Sequence, residues 1–124
     1  ASVASGNFGA AVTKVTGAYD LGTSGTGSVL TLGSSTAFTT TTVATALKSG
    51  GDLELTAGAA FGAADGFIVF YDDNIDTYAA VVTTAGGVSD NAVSSDFVVT
   101  NLTKLKGLTD ATTITSADLL AFTA

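Results

Sequence analysis

Glycine recurs every few residues along this chain, and the stretches between are rich in threonine and valine. That alternation constrains the fold more than any other feature. Thr and Val are stiff at χ1 and suit a pleated strand better than a helix, and glycine opens the tight turns that join short strands. The expected fold is mostly β: a single-domain β-sandwich or β-roll with at most one short helix. A chain of 124 residues has room for one such domain, 1–124, and little beyond it. Proline is absent, so strand edges cannot be guarded by it.

Read along the chain, 7–16 forms a first strand in which Phe8, Ala10 and Val12 alternate with neighbours of the other face. Residues 20–27 read as a Gly/Thr-rich linker or loop. A short strand is expected over Ser28–Leu32. The best helix candidate is Thr39–Lys48, with a threonine able to cap it, Val43, Ala44 and Leu47 on one side, and Ser49-Gly50-Gly51 to stop it. Leu53 and Leu55 alternate with Asp52 and Glu54, the pattern of a strand with one wet face. Phe67–Tyr71 is a continuous apolar run, expected to be a central strand buried on both faces. It turns through Asp72–Ile75 into the alternating run 76–84 as a hairpin. Ser94–Asn101 and Leu102–Leu108 supply one or two further strands, and Ser116–Phe122 is a final strand or one helical turn.

Eleven acidic residues stand against four lysines, with no arginine, for a net charge of −7. Nucleic acid is not an expected partner, because its phosphates need several cationic contacts; anionic membrane surfaces are disfavoured by the same sign. No apolar run approaches the ~20 residues of a spanning helix, so no membrane insertion is expected. With no histidine and no cysteine, the commonest general base and the thiol nucleophile are missing. Sugar hydrolysis would need a carboxylate pair such as Glu54 with Asp65, and without tryptophan there is little to line a sugar groove. Gly22–Gly27 has no lysine at its end to hold a phosphate. The chain is therefore expected not to be an enzyme, to require no cofactor and to take no small-molecule substrate. Ala1–Gly6 carries neither a basic region nor an apolar one, so either a leader has been removed or an initiator Met has been lost.

Two constellations remain. Asp72, Asp73, Asn74 and Asp76 crowd one hairpin, with Asp90 in a later loop. Clustered oxygens are what Ca2+ prefers, although Asp and Asn also build tight turns by bonding their own backbone; the turn reading leads, with calcium beside it. The second constellation is the poorly guarded strand edges themselves. Residues 1–16, followed by a linker, could leave their own domain as a donor strand and complete a neighbour's sheet. Phe8, Val12 and Val15 would then be the anchors, and Phe67, Val69, Tyr71, Tyr78, Ala80 and Val82 the acceptor core or its rim. Repeated head to tail, that contact gives an open polymer.

Asp65-Gly66-Phe67-Ile68-Val69-Phe70-Tyr71-Asp72-Asp73, then Asp76-Thr77-Tyr78-Ala79-Ala80-Val81-Val82, resembles the closing segment of RTX-type (haemolysin-type calcium-binding) bacterial proteins exported by type I secretion. The likeness continues through Leu102–Thr109 and Ile114–Phe122, where Asp118-Leu119-Leu120-Ala121-Phe122 is similar to the family's acid-then-apolar terminal signal. The family's calcium-binding nonapeptide does not occur here, so no ligand carries over from it. The composition is also similar to that of surface-layer and extracellular fibre subunits. The function expected is an extracellular or cell-surface structural protein that self-assembles into a filament or layer by β-strand addition, its partner a copy of itself. The alternative is a calcium-responsive secretion or folding module with no assembly role.

Overall fold

A computed structural model describes residues 12–20, 29–34, 36–56, 66–84 and 93–119. The chain forms a mostly β domain, with seven strands among the described residues: β1 (Val12–Val15), β2 (Tyr19–Asp20), β3 (Val29–Leu32), β4 (Leu55–Thr56), β5 (Gly66–Asp72), β6 (Thr77–Thr84) and β7 (Phe97–Leu105). Helix α1 spans Thr40–Leu47, and α2 is the single turn Ser116–Leu119. Five strands make one sheet in the order β1-β3-β5-β6-β7, while β2 and β4 pair as a separate small ladder. β1, β3 and β5 are mutually parallel; β6 is antiparallel to β5, and β7 to β6. β7 therefore runs in the same direction as β1.

β5 sits at the centre, and every residue of it is buried. Its alternate side chains feed two apolar clusters. Phe67, Val69 and Tyr71 join Val15, Leu30, Leu32, Ala80, Val82 and Phe97 under α1, which contributes Val43, Ala44 and Leu47. This is the helix face. Ile68 and Phe70 join Val29, Ala79, Ala111 and Ile114 on the opposite, C-terminal face. A continuous apolar run fits a strand covered on both sides, as expected of Phe67–Tyr71.

Helix α1 forms within a threonine run that by intrinsic preference favours strands. Local capping reverses the preference. Thr39 Oγ1 accepts from the Thr42 N–H at 3.2 Å, and Thr42 Oγ1 accepts from the Thr39 N–H at 2.7 Å, a reciprocal box at the N-terminus. Thr45 Oγ1 donates back to the Thr41 carbonyl at 3.1 Å, so a third threonine is also accommodated. The burial of Val43, Ala44 and Leu47 then holds the helix to the sheet.

The strand expected around Leu53 and Leu55 is shorter than the alternation implied. Pairing is confined to Leu55–Thr56, and the Leu53 N–H instead donates to the Ala46 carbonyl at the end of α1, at 3.0 Å. Both leucines are buried, so the period reported burial without reporting pairing. Ser94–Asp96 is a 3-10 turn, not strand, because Asp96 Oδ2 accepts from the Val93 N–H at 2.9 Å and curls the chain there. The remaining run to Leu105 is one strand with a bulge: Ala79 pairs with Thr103 and Ala80 with Asn101, leaving Leu102 as the extra residue. Ser116–Leu119 takes the helical alternative. Of the expected first strand, Val12–Val15 pairs in parallel with Val29–Leu32 of its own chain. Phe8, Asp65 and the linker from residue 21 to residue 27 lie outside the described residues.

Candidate functional site

The assembly set named from the sequence separates into two groups. Val15, Phe67, Val69, Tyr71, Ala80 and Val82 come together on the helix face, each no more than 2% exposed. They are brought together as one core, which α1 covers. Tyr78 is half-buried beside them, its ring stacked on that of Tyr71 at 5.3 Å between centroids. Val12 is half-buried against the C-terminal face. These residues hold the sheet together from inside, and the accessible part of the sheet is its margin.

Among the described residues, β1 has a strand neighbour on one side, β3, and β7 likewise has β6. β7 is the longer margin, with nine residues of which one, Lys104, carries a charge. Val98 and Leu102 are 50% and 59% exposed. The strand is anchored from within: the Tyr71 hydroxyl donates to Asn101 Oδ1 at 2.8 Å, crossing from the central strand to the margin. Between β7 and the C-terminal segment lies an apolar cavity of about 410 Å3, lined by Ile68, Phe70, Leu102, Leu105, Leu108 and Ile114 among others. The sequence left Ser94–Asn101 and Leu102–Leu108 as one strand or two, and which strand forms the margin is fixed by pairing with β6.

The hairpin acids also come together, each held by structural donors. Asp72 is buried; its Oδ1 accepts from the Asn74 N–H at 3.1 Å and its Oδ2 from the Ala111 N–H at 2.9 Å. Asp73 Oδ1 accepts from the N–H groups of Ile75 and Asp76 at 3.0 and 2.7 Å, and its Oδ2 from the Tyr78 hydroxyl at 3.1 Å. Asp76 Oδ1 accepts from the Gly107 N–H at 2.8 Å, and its Oδ2 lies 3.2 Å from Lys104 Nζ. Asn74 takes φ 68°, a left-handed conformation that Asn tolerates and that this turn requires. Gly107, at φ 79°, presents its N–H to Asp76 in the same way. Among the described residues, no group of three or more acids could hold a metal ion. Asp90 lies outside them. Glu54 Oε2 accepts from the Gly50 N–H at 2.6 Å, so this carboxylate closes the turn after α1.

These bonds set the titration of the turn. The Asp76 N–H holds the Asp73 carboxyl below the usual carboxylate range, and the Gly107 N–H does the same to Asp76 with help from Lys104. Thr112 lowers Asp110, and the Thr115 N–H lowers Asp118. In return, the bond to Asp73 raises the Tyr78 phenol and the bond to Asp76 raises Lys104. A carboxyl depressed in the folded chain stabilises it above its unfolded pKa of about 4, and that contribution goes as pH falls through the folded value. The raised Tyr78 and Lys104 stabilise below about 10 and lose their contribution as pH rises through theirs. Urea midpoints are accordingly expected to stay level between about pH 6 and 8, and to fall below about pH 4 and above about pH 10. A midpoint that rises on acidification to pH 3 would contradict the bonding described for the hairpin.

Among the described residues the arrangement offers a sheet covered on both faces, with the hairpin carboxylates bonded to main-chain N–H groups and with β1 and β7 each paired on one side. No protein-family model, no curated protein and no solved structure matches this chain.

Proposed function

We propose that the chain is an extracellular structural subunit that assembles with copies of itself by strand addition at the margins of its sheet, building a filament or layer. The observation that carries this reading is β7: nine residues long, with a single charged side chain and a free flank among the described residues. Native sheets usually blunt such a margin with several charges, proline or a cover. The complete lack of proline and the scarcity of charge point the same way. The donor in this reading is a whole neighbouring sheet rather than a detached first strand, since β1 is in register with β3 of its own chain.

Magnitudes decide how strong such a contact is. Each added backbone hydrogen bond contributes about 0.5–1.5 kcal/mol net, and covering the exposed halves of Val98 and Leu102 adds roughly 1 kcal/mol apiece. Lost translational and rotational freedom opposes this by about 4 kcal/mol or more. The balance is a modest affinity per contact, so assembly should depend steeply on protein concentration.

The test is sedimentation velocity across a dilution series, in calcium and in chelator, on the wild-type chain and on a Val98→Lys/Thr100→Lys variant. Both positions are exposed, so the fold should persist by circular dichroism while the charged margin repels its neighbour. Polymers for the wild type and monomers for the variant are expected. A wild-type chain that stays monomeric at every concentration would sink the reading. Ordering of an otherwise unfolded chain on calcium addition would favour the secretion-module alternative.

A further inference from the structure

We infer that the two margins are a matched pair, and that the β7 margin of one copy accepts the β1 margin of the next in a parallel ladder. The inference deepens the assembly reading and rests on it. It starts from strand direction. β1, β3 and β5 run one way, β6 returns, and β7 runs the first way again, so the two margins point in the same direction. A copy displaced sideways along the sheet, without being turned over, therefore presents β1 parallel to β7. Two β7 strands could meet instead in a two-fold pair, but that contact alone closes at a dimer and needs a second, β1–β1 pair to continue, while one unlike pair repeats indefinitely.

Length supports the unlike pair. The bulge leaves Leu102 without a partner on β6 and bends the strand there, which confines the regular part of β7 to Phe97–Asn101. β1 is a four-residue strand, Val12–Val15, and fits that segment. The faces also agree. Val15 and Val99 both pack toward the helix-face core, which places Lys14 and Thr100 on the C-terminal face. A copy added without inversion keeps helix face beside helix face, so the lysine and threonine side chains at the seam stay in solvent; both residues are exposed.

The geometry of the product follows from sheet dimensions. The five strands of the sheet among the described residues, at about 4.8 Å spacing, give a rise of roughly 24 Å per copy. A twist of about 20–25° per strand turns each copy by roughly 100–125°, giving about three to four copies per helical turn.

The absence of cysteine makes the test clean. Lys14→Cys and Thr100→Cys are made singly and together, and polymerised protein is treated with a short bismaleimide. Within one copy these positions stand four strand steps apart, about 19 Å, beyond the reach of such a reagent. The double variant should give a ladder of covalent multimers on a denaturing gel, and each single variant should give none. Circular dichroism and sedimentation confirm that each variant folds and polymerises like the wild type. Dimers from Thr100→Cys alone would establish a two-fold β7 contact and overturn the inference while leaving assembly intact. Polymers without a ladder from the double variant would also overturn it, as would an electron-microscopic subunit repeat far from 24 Å. A chain with no polymers at all would remove both the inference and the function beneath it.

Discussion

Replacing Phe67 with alanine is expected to destabilise the domain by about 3–5 kcal/mol, read from urea denaturation as a lower midpoint at unchanged slope. Phe67 is fully buried in the central strand, opposite Val82, and it belongs to the cluster that α1 covers. Truncation removes the transfer energy of a whole ring and leaves a cavity that strands held from both sides cannot close. A domain of this size has about 5–15 kcal/mol in all, so the variant should sit near the edge of folding at room temperature. A loss under about 1 kcal/mol would mean that β5 is not packed between two layers. The consequence for assembly is direct: β5 links the parallel half of the sheet to the antiparallel half, so both margins are oriented through it.

Asp72→Ala is the second substitution with a large effect. This carboxylate ends β5, accepts from the Asn74 N–H of the hairpin, and reaches 39 residues along the chain to the N–H of Ala111. Alanine would leave the Ala111 N–H without its partner in a buried position. Bonds to a charged acceptor are worth about 1.5–3 kcal/mol, and an orphaned buried donor costs about 1–3 kcal/mol, so a loss of about 2–3 kcal/mol is expected. Hydrogen exchange should localise it: the amides of Ala111, Thr113 and Ile114 lose protection more than those of β5 or β6. Uniform loss across the sheet would instead mean that the C-terminal segment is not tethered through Asp72. That tether holds Ala111 and Ile114 over Ile68 and Phe70 and shapes one wall of the apolar cavity beside β7.

Elements with a local cause were readable in advance. The β5–β6 hairpin follows from an apolar run, an Asx-rich turn and an alternating run, and it pairs residue for residue from Gly66–Thr83 to Asp72–Thr77. Helix α1 follows from a capping threonine and a 43/44/47 stripe, within one residue of the expected bounds at each end. The same holds for two of the hairpin acids: Asp and Asn at 72, 73, 74 and 76 were expected to bond their own backbone, and Asp72 and Asp73 do accept from N–H groups of their own turn, whereas Asp76 accepts from Gly107 across the fold. Their long-range bonds were not readable, because nothing in the spacing of Asp72 and Asp76 names Ala111 or Gly107 as donors.

Where a segment's state depends on partners far away in the chain, local chemistry was silent. Leu53 and Leu55 share a period, but the Ala46 carbonyl captures the first and β2 the second. The bulge in β7 arises from its fit to β6 and has no signature of its own in 97–105. Composition alone was enough to specify a mostly β chain with few charges and no cysteine, because side-chain stiffness and turn freedom act residue by residue. Which strands lie inside, which lie at the margins and which way the margins point came from long-range pairing. Hydrophobic burial is blind to strand order, so the order that covers Phe67 and Phe70 on both faces at once is a property of the assembled sheet.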